Sequence, residues 1–171
     1  LGMVYPHVEK TDTVEFSGDL NNFVSAHKYR VYSPNDELLN LMERGHTVSD
    51  SIYATRIAKE SGFKVCYHMM PGLLGSDEKK DIESFLTIFE DPNFKPDMIK
   101  IYPTLIVKGT KLYELWKKGE YEPLSTKKAS KLIAQIKSIV PEWVRIQRIQ
   151  RDVPSQFIDA GVDKSNLRQY I

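Results

Sequence analysis

Strand and helix patterns alternate along this chain from Ser33 onward, and this alternation limits the possible folds more than any other sequence feature. Residues 63–69, 98–102 and 144–149 have the apolar character of strands. Between the first two, the apolar residues recur with helical spacing, at Ile82, Phe85, Leu86 and Phe89. Strands separated by helices in this way predict βαβ units and a parallel sheet, and therefore an α/β fold.

The number of strands narrows the fold further. Three parallel strands cannot close a barrel, because closure needs a matched strand number, tilt and shear. Residues 13–18 are a further strand candidate, but residues 25–28 do not continue the pattern. We therefore expect an open half-barrel with three clear strands. The other predicted helices are a short one ended by Gly45 and those over residues 47–61, 110–118, 129–140 and 163–170.

The amino-acid composition excludes several kinds of metal chemistry. Cys66 is the single cysteine among 171 residues, so neither a disulfide framework nor a cysteine-based zinc site is possible. One thiol also cannot hold an iron–sulfur cluster unaided. The four histidines show no ligand spacing, and we predict no metal site. Apolar stretches fall far short of the roughly 20 residues that cross a bilayer, so we expect a cytoplasmic protein without a membrane partner.

The net charge of +1 conceals an uneven distribution. Residues 1–90 hold nine Lys and Arg against fourteen Asp and Glu, a balance of −5, whereas residues 91–171 hold fifteen against nine, a balance of +6. A basic half can bind phosphate backbones by releasing counterions. Solvated helix faces produce the same imbalance, so the charge alone leaves both interpretations open.

Separate blocks of sequence from Arg44 to the end of the chain resemble one enzyme family. That family is the catalytic subunit of Elongator, a transfer RNA uridine(34) acetyltransferase with a radical S-adenosylmethionine (SAM) domain. The order and spacing of the blocks fit that domain over roughly 125 residues. The blocks are Arg44-Gly45-His46-Thr47-Val48, Gly62-Phe63-Lys64-Val65, His68-Met69-Met70-Pro71-Gly72, Lys100-Ile101-Tyr102-Pro103-Thr104-Leu105, Gly109-Thr110, Leu112-Tyr113-Glu114-Leu115-Trp116, Arg148-Ile149-Gln150-Arg151-Asp152-Val153-Pro154, Gly161-Val162 and Ser165-Asn166-Leu167.

The resemblance implies a partial barrel of the TIM type, a 4Fe-4S cluster that binds SAM, and an acetyltransferase domain of the GNAT type. It implies modification of the wobble uridine of transfer RNA, with acetyl-CoA as a substrate and a carboxymethyl-type group as the product. Transfer RNA is the implied partner, together with other Elongator subunits or self-association. The alternative is a non-catalytic module of the same fold that binds RNA or a partner.

The sequence departs from the family pattern in three places. The three clustered cysteines that hold the cluster are missing, and so is the acetyltransferase domain expected after Ile171. Gly18 matches the glycine-rich turn that contacts SAM, but Asp19 stands where a second glycine is expected. We therefore expect residues 1–32 to be discontinuous pieces of the first half of the radical SAM domain and residues 33–171 to be its C-terminal half, inactive alone.

Two predicted strand ends carry candidate cofactor-binding residues. Lys100 and Tyr102 share one face of a strand whose carboxyl end is where TIM-type barrels build active sites. Such a pair suits an anionic substrate or an RNA base and phosphate. His68 lies at the end of another strand, on the face opposite Tyr67 and Met69. The structural alternatives are a lysine that extends to water and a packed, hydrogen-bonded histidine.

The last predicted strand adds Arg148 and Gln150 to the cofactor-binding candidates and Arg151 to the RNA-binding ones. Arginine binds phosphate through two parallel hydrogen bonds, and glutamine can read base edges. Strict alternation would place Arg145 and Arg151 on one face and Arg148 on the other. The alternative is a strand end stabilised by salt bridges, with Asp152 as the acid.

Lysines interleaved with aromatic residues form the candidate RNA surface. Basic residues of this kind bind phosphate, and aromatic rings between them can stack on bases. The helical spacing of Leu112, Leu115 and Trp116 instead predicts core positions, so we assign only lysines to RNA. The lysines so assigned are Lys108, Lys111, Lys117 and Lys118.

Overall fold

A computed structural model of the chain describes residues 27–29, 33–150, 158–162 and 166–171. Strands and helices alternate through these residues as β1 (His27–Tyr29), α1 (Asp36–Leu41), α2 (Val48–Glu60), β2 (Val65–Met69), α3 (Glu78–Glu90), β3 (Met98–Ile101), α4 (Lys111–Lys117), α5 (Thr126–Ile139) and β4 (Arg145–Ile149), followed by a 3₁₀ turn at Leu167–Tyr170. The strand candidate at residues 13–18 lies outside the described residues.

The four strands form one parallel sheet in the order β1-β2-β3-β4, which confirms the open α/β fold. The strand number is one higher than predicted, because β1 lies in a segment expected to break the pattern. Its three residues show no apolar alternation of their own. They become a strand by pairing with residues 65–67 of the buried strand β2. Pairing with a neighbour, which local sequence does not encode, overrides the weak propensity.

Side-chain caps begin the helices where the sequence places them. Thr47 and Asp50 form the predicted capping box of α2, in which each side chain accepts a hydrogen bond from the other residue's backbone N–H. Asn35, Asp77, Thr110 and Ser125 cap the helices that follow them. Gly62 follows the C-cap of α2 with a φ of +81°, the left-handed conformation that ends many helices.

The hydrophobic core lies between one face of the sheet and the helices. Tyr67 and Met69 of β2, with Ile99 and Ile101 of β3, are at most 1% exposed. Helices α3 and α5 pack against them and against each other, contributing Phe85, Ile88, Leu132, Ile133 and Ile136. Val65 of β2 belongs to the same core, and Ile146 and Ile149 of β4 pack against it, whereas His68 and Lys100 alternate with core residues and face away from it.

Two predicted helices differ from expectation. Helix α4 buries none of its residues, so Leu112, Leu115 and Trp116 are half-exposed rather than core positions. The helix is only seven residues long and lies on a connection, so its helical spacing does not face the sheet. The predicted terminal helix is a short 3₁₀ turn that buries Leu167. No helix in the described part of the chain is long and apolar enough to span a membrane.

Candidate functional site

The sheet aligns three of the predicted cofactor-binding residues in one row. His68, Lys100 and Arg148 are register partners across β2, β3 and β4. Their neighbours Tyr67 and Ile99 are fully buried against the helices, so the row lies on the opposite, open face. The row is close to the carboxyl ends of the strands, and we call it the site row. It brings an imidazole, an ammonium and a guanidinium group together on one surface.

A β-bulge places Arg148 in the site row. The register changes between Ile99 and Lys100, so that Gln147 of β4 is an extra residue in the ladder. Arg145 pairs with Met98, and Arg148 pairs with Lys100. Met98 and Lys100 are two residues apart on β3 and therefore share one face of the sheet, so Arg145 and Arg148 share it as well. The expectation that Arg145 and Arg148 occupy opposite faces is therefore wrong. Strict alternation cannot anticipate an inserted residue.

The extra residue also covers the single thiol. The Gln147 side-chain oxygen accepts a hydrogen bond from Cys66 Sγ at 3.5 Å, and its Nε2 donates to Met98 Sδ at 2.8 Å. Cys66 is completely buried. Its sulfur therefore contributes to packing on the same face as His68, two residues nearer the amino end of β2, and is not exposed.

Tyr102 meets the site row beyond the end of β3. Its ring lies edge-to-face on the His68 ring, with centroids 5.5 Å apart and planes at 77°. The Tyr102 N–H donates to the Met69 carbonyl oxygen at 2.9 Å, which extends the β2–β3 pairing past the strand. The ends of β2 and β3, which carry the predicted cofactor-binding residues, thus form one continuous surface. It offers two flat rings next to two cationic groups, which suits an anionic ligand with an aromatic part.

Gln150 connects the end of β4 to the C-terminal turn. It is 6% exposed and has a φ of +70°, and its backbone N–H donates to the Ile101 carbonyl oxygen at 2.8 Å. Its side-chain oxygen accepts from the Leu167 N–H at 3.1 Å. These contacts hold the chain where it leaves the sheet, and a cofactor-binding role for Gln150 stays a prediction.

A buried carboxylate and a half-buried phenol hold the loop that follows β2. Asp81 Oδ2 accepts from the Gly72 N–H at 2.8 Å, and its Oδ1 accepts from the Ser76 hydroxyl at 2.6 Å. The Tyr121 hydroxyl donates to the Gly72 carbonyl oxygen at 2.6 Å. Burial raises the pKa of Asp81 to about 6, and burial beside Asp81 raises the pKa of Tyr121. Sequence reasoning misses both residues, because Asp81 resembles any acidic residue in a first helical turn.

The predicted RNA-binding lysines surround α4, beyond the carboxyl end of β3. The segments after β3 and β4 are joined there, because the Ile106 N–H donates to the Ala160 carbonyl oxygen at 3.0 Å. Lys111 pairs with Glu43 from the turn before α2, and the Lys117 ammonium lies over the rings of Tyr113 and Trp116. Lys108 and Lys118 are exposed. Gly18 and Arg151 lie outside the described residues.

Cation-binding side chains do not cluster in the described ranges. Residues 33–150 and the short described segments around them contain no group of three or more His, Cys, Asp or Glu that could hold a metal ion. The site row itself carries cationic groups and would repel a cation. Its chemistry is that of a surface for anions.

Comparison with known proteins agrees with the sequence blocks. Residues 96–171 match the Radical_SAM C-terminal domain family. The chain is 54% identical over 136 residues to the tRNA uridine(34) acetyltransferase of Methanocaldococcus jannaschii, a match that covers 80% of this chain and 25% of that protein. It is 45% identical over 139 residues to the Elongator complex protein 3 of Mus musculus, covering 81% of this chain and 25% of that protein.

The fold agrees with a solved structure as well. An archaeal Elp3 from Methanocaldococcus infernus, with an N-terminal deletion, superposes with a TM-score of 0.82 at 49% identity, over 85% of this chain and 34% of that one. The chain thus spans about a quarter of the length of the curated relatives it matches. These matches confirm the resemblance that the sequence blocks indicate.

Proposed function

Because this chain carries the Radical_SAM C-terminal domain and matches Elongator catalytic subunits over four fifths of its length, we propose that it belongs to an enzyme that modifies the wobble uridine of transfer RNA. In this proposal residues 33–171 are the C-terminal half of the radical SAM domain. The intact enzyme takes acetyl-CoA as a second substrate and installs a carboxymethyl-type group. It acts in the cytoplasm, with itself or other Elongator subunits as partners.

The site row is the single structural observation on this chain that supports the proposal. His68, Lys100 and Arg148 align on the open face of a parallel sheet, near the strand ends where barrels of this type bind ligands. The rings of His68 and Tyr102 adjoin the two cations. A nucleoside that bears a negatively charged group matches this surface. Its flat base can lie against the rings, and its anionic group can bind Lys100 or Arg148.

The two cofactors of the radical SAM family differ in how well they fit these residues. The site row fits SAM, whose carboxylate Lys100 or Arg148 would hold and whose adenine would lie against His68 and Tyr102. When bound, SAM supplies the radical chemistry for which the family is named. The 4Fe-4S cluster does not fit, because the only thiol of the chain is the buried Cys66. We assign no step of the reaction to a cluster on this chain.

Transfer RNA is proposed to lie over α4, on Lys108, Lys111, Lys117 and Lys118, and to contact Arg151, which follows β4 in the sequence. The connection that carries these lysines leaves β3 just after Tyr102. RNA held there would extend across the end of the sheet where the site row lies. Phosphate contacts from several lysines make such binding strongly dependent on salt.

Salt-dependent binding of transfer RNA tests the proposal. A variant with Lys108, Lys111, Lys117 and Lys118 all changed to alanine should bind much more weakly, with a shallower dependence of affinity on salt. The matched control changes Lys59, Lys64, Lys95 and Lys137 to alanine, an equal loss of charge near the amino ends of the strands. Equal losses in both variants would show nonspecific attraction, and unchanged binding in the first would remove RNA from this surface.

One observation favours a second candidate, a non-catalytic module that binds RNA or a partner. Cys66 is completely buried in contact with Gln147 and is the only cysteine thiol that the chain could offer a cluster. Iron analysis and the ultraviolet–visible spectrum of anaerobically prepared protein separate the candidates. A stoichiometric iron–sulfur spectrum would contradict the module, whereas RNA binding by iron-free protein without turnover would support it.

A further inference from the structure

Helix α4 has the apolar spacing of a core helix but does not enter the core. Leu112, Leu115 and Trp116 recur on one side, and each is only half-buried. None of them is part of the hydrophobic cluster between the sheet and the helices. Half-buried side chains in this position keep part of their apolar surface within reach of solvent. They need an explanation other than packing of the domain.

The Lys117 ammonium lies over the rings of Tyr113 and Trp116, which shows that a charged group can reach both rings. The Tyr113 and Trp116 rings are tilted by 55° with centroids 5.7 Å apart. The Lys117 ammonium lies 5.5 Å from the Tyr113 centroid and 5.0 Å from the Trp116 centroid. One cation thus covers two neighbouring rings, and such a contact is weak at an exposed site. An interaction this weak is readily exchanged for a better one.

We propose that Tyr113 and Trp116 form a stacking site for one unpaired base of bound RNA, with Lys117 as the partner of a phosphate on the same strand. The proposal rests on the proposed function, in which transfer RNA lies over α4. It adds Tyr113 to that surface, together with Trp116, which the sequence alone assigns to the core. The ligand class is a single-stranded segment rather than a duplex, because a duplex keeps its base faces stacked.

A nucleotide suits this arrangement better than an acidic protein would. Its base offers a flat face to the rings, and its phosphate offers Lys117 a stronger partner than an aromatic ring. Both contacts form together only if one ligand has both parts. The adjacent cations match a strand of phosphates, since Lys111 begins the helix, Lys118 ends it and Lys108 precedes it. An acidic side chain would satisfy the cations and leave the rings without a partner.

Tryptophan fluorescence tests the stacking directly, because the chain contains only two tryptophans. Trp143 is the matched control. It is 58% exposed, it also has a lysine over its ring (Lys95 at 5.8 Å), and it precedes β4 at the opposite end of the sheet. Trp143→Phe leaves Trp116 as the reporter, and Trp116→Phe leaves Trp143. A short uridine-rich single-stranded RNA should quench the emission of the first variant and leave the second unchanged.

Affinity measurements complete the test. Trp116→Leu should weaken binding of the same RNA by about fivefold to one hundredfold without changing its salt dependence, since stacking releases no counterions. Trp116→Phe, which keeps a ring, should restore part of that loss. Lys117→Gln should instead make the salt dependence shallower. A helix weakened only structurally would change both quantities together in Trp116→Leu, and that outcome would overturn the stacking site.

The possible failures separate the two proposals. If transfer RNA binds with its salt dependence intact while Trp116 is not quenched, the stacking site is wrong and the proposed function stands. If a duplex RNA quenches Trp116 as strongly as the single strand, an unpaired base is not the ligand and the stacking site is again wrong. If no RNA binds, both proposals fail.

Discussion

The Asp81 carboxylate accepts a hydrogen bond from the Gly72 backbone N–H at 2.8 Å, across the loop between β2 and α3. Tyr121 donates to the carbonyl oxygen of the same glycine at 2.6 Å, so Gly72 is held by side chains at both its donor and its acceptor. The loop begins directly after β2, and Gly72 lies four residues beyond His68. Fixing Gly72 therefore limits the movement of the chain that leaves the site row.

Asp81 is expected to make the stability of the fold depend on pH. Burial raises its pKa from an ordinary 3.8 to about 6, so the folded state holds the proton more tightly than the unfolded state. Its contribution to the free energy of unfolding is therefore largest below pH 4 and falls as the pH rises from about 4 to 6. At the two-unit shift, the fall is at most about 3 kcal/mol.

Denaturant unfolding at several pH values measures this effect. In Asp81→Asn the decline between pH 4 and 6 should disappear, although the variant also loses one of the two accepted hydrogen bonds. Asp77→Asn is the control, because Asp77 is an exposed carboxylate in the same turn and asparagine caps a helix equally well. An identical pH dependence in wild type and Asp81→Asn would contradict the assignment.

Gly72→Ala should be much more destabilising than Gly62→Ala. Both glycines have a φ near +80°, so an alanine meets the same backbone strain at either position. At Gly62 the added methyl group meets nothing within 4 Å, whereas at Gly72 it lies 2.8 Å from Leu124 Cδ1. The difference in the free energy of unfolding between the two variants isolates this contact, at roughly 1–3 kcal/mol. A smaller residue at 124 should recover part of it.

The buried hydrogen bond between Tyr67 and Thr55 should stabilise the packing of α2 on the sheet. The oxygens are 2.6 Å apart, and Thr55 donates its own hydrogen to the Ser51 carbonyl oxygen, so Tyr67 is the donor to Thr55. Tyr67→Phe should lower the free energy of unfolding by about 1 kcal/mol. Tyr53→Phe removes a hydroxyl from a ring that is 59% exposed and should cost almost nothing. Similar losses in both variants would contradict this role.

Glu43→Gln should strengthen RNA binding. In the free protein the Glu43 carboxylate pairs with Lys111, so a phosphate must compete for the same ammonium. Because both side chains are about two thirds exposed, the pair itself adds little stability. Removing the carboxylate should raise the affinity severalfold and steepen the slope of log affinity against log salt by up to about 0.9, the value for one additional neutralised phosphate. Glu114→Gln, on the same helix as Lys111, is the comparison, and an equal effect there would indicate only a general change of charge.

Sequence reasoning works where a residue's neighbours along the chain determine its structure. Thr47 and Asp50 form the predicted capping box because both partners lie within four residues. The opposite faces of Tyr67 and His68 follow from the period of a strand. Contacts across the fold cannot be found in this way. The clamp on Gly72 joins residues 9 and 49 positions away, and nothing local distinguishes Asp81 or Tyr121.

The same distinction applies to the candidate site, because its residues can be predicted from local sequence and their arrangement cannot. Strand ends and family blocks indicate Lys100, His68 and Arg148, but the alignment of these residues in one row depends on inter-strand register. Helical spacing assigns Trp116 to the core because it reports which side of a helix is apolar, not whether anything covers that side. The covering elements are set by the whole topology.

The bulge at Gln147 determines which side chains of β4 lie on the exposed face of the sheet. If Gln147 were paired in the ladder instead of bulged, simple alternation would run to the end of the strand, and each later side chain would exchange faces. Arg148 would then turn toward the apolar interior, and Ile149 would turn toward the ligand. The bulge at this one residue therefore separates a strand that presents a guanidinium group from a strand that presents a hydrocarbon, without any change in the composition of the sheet.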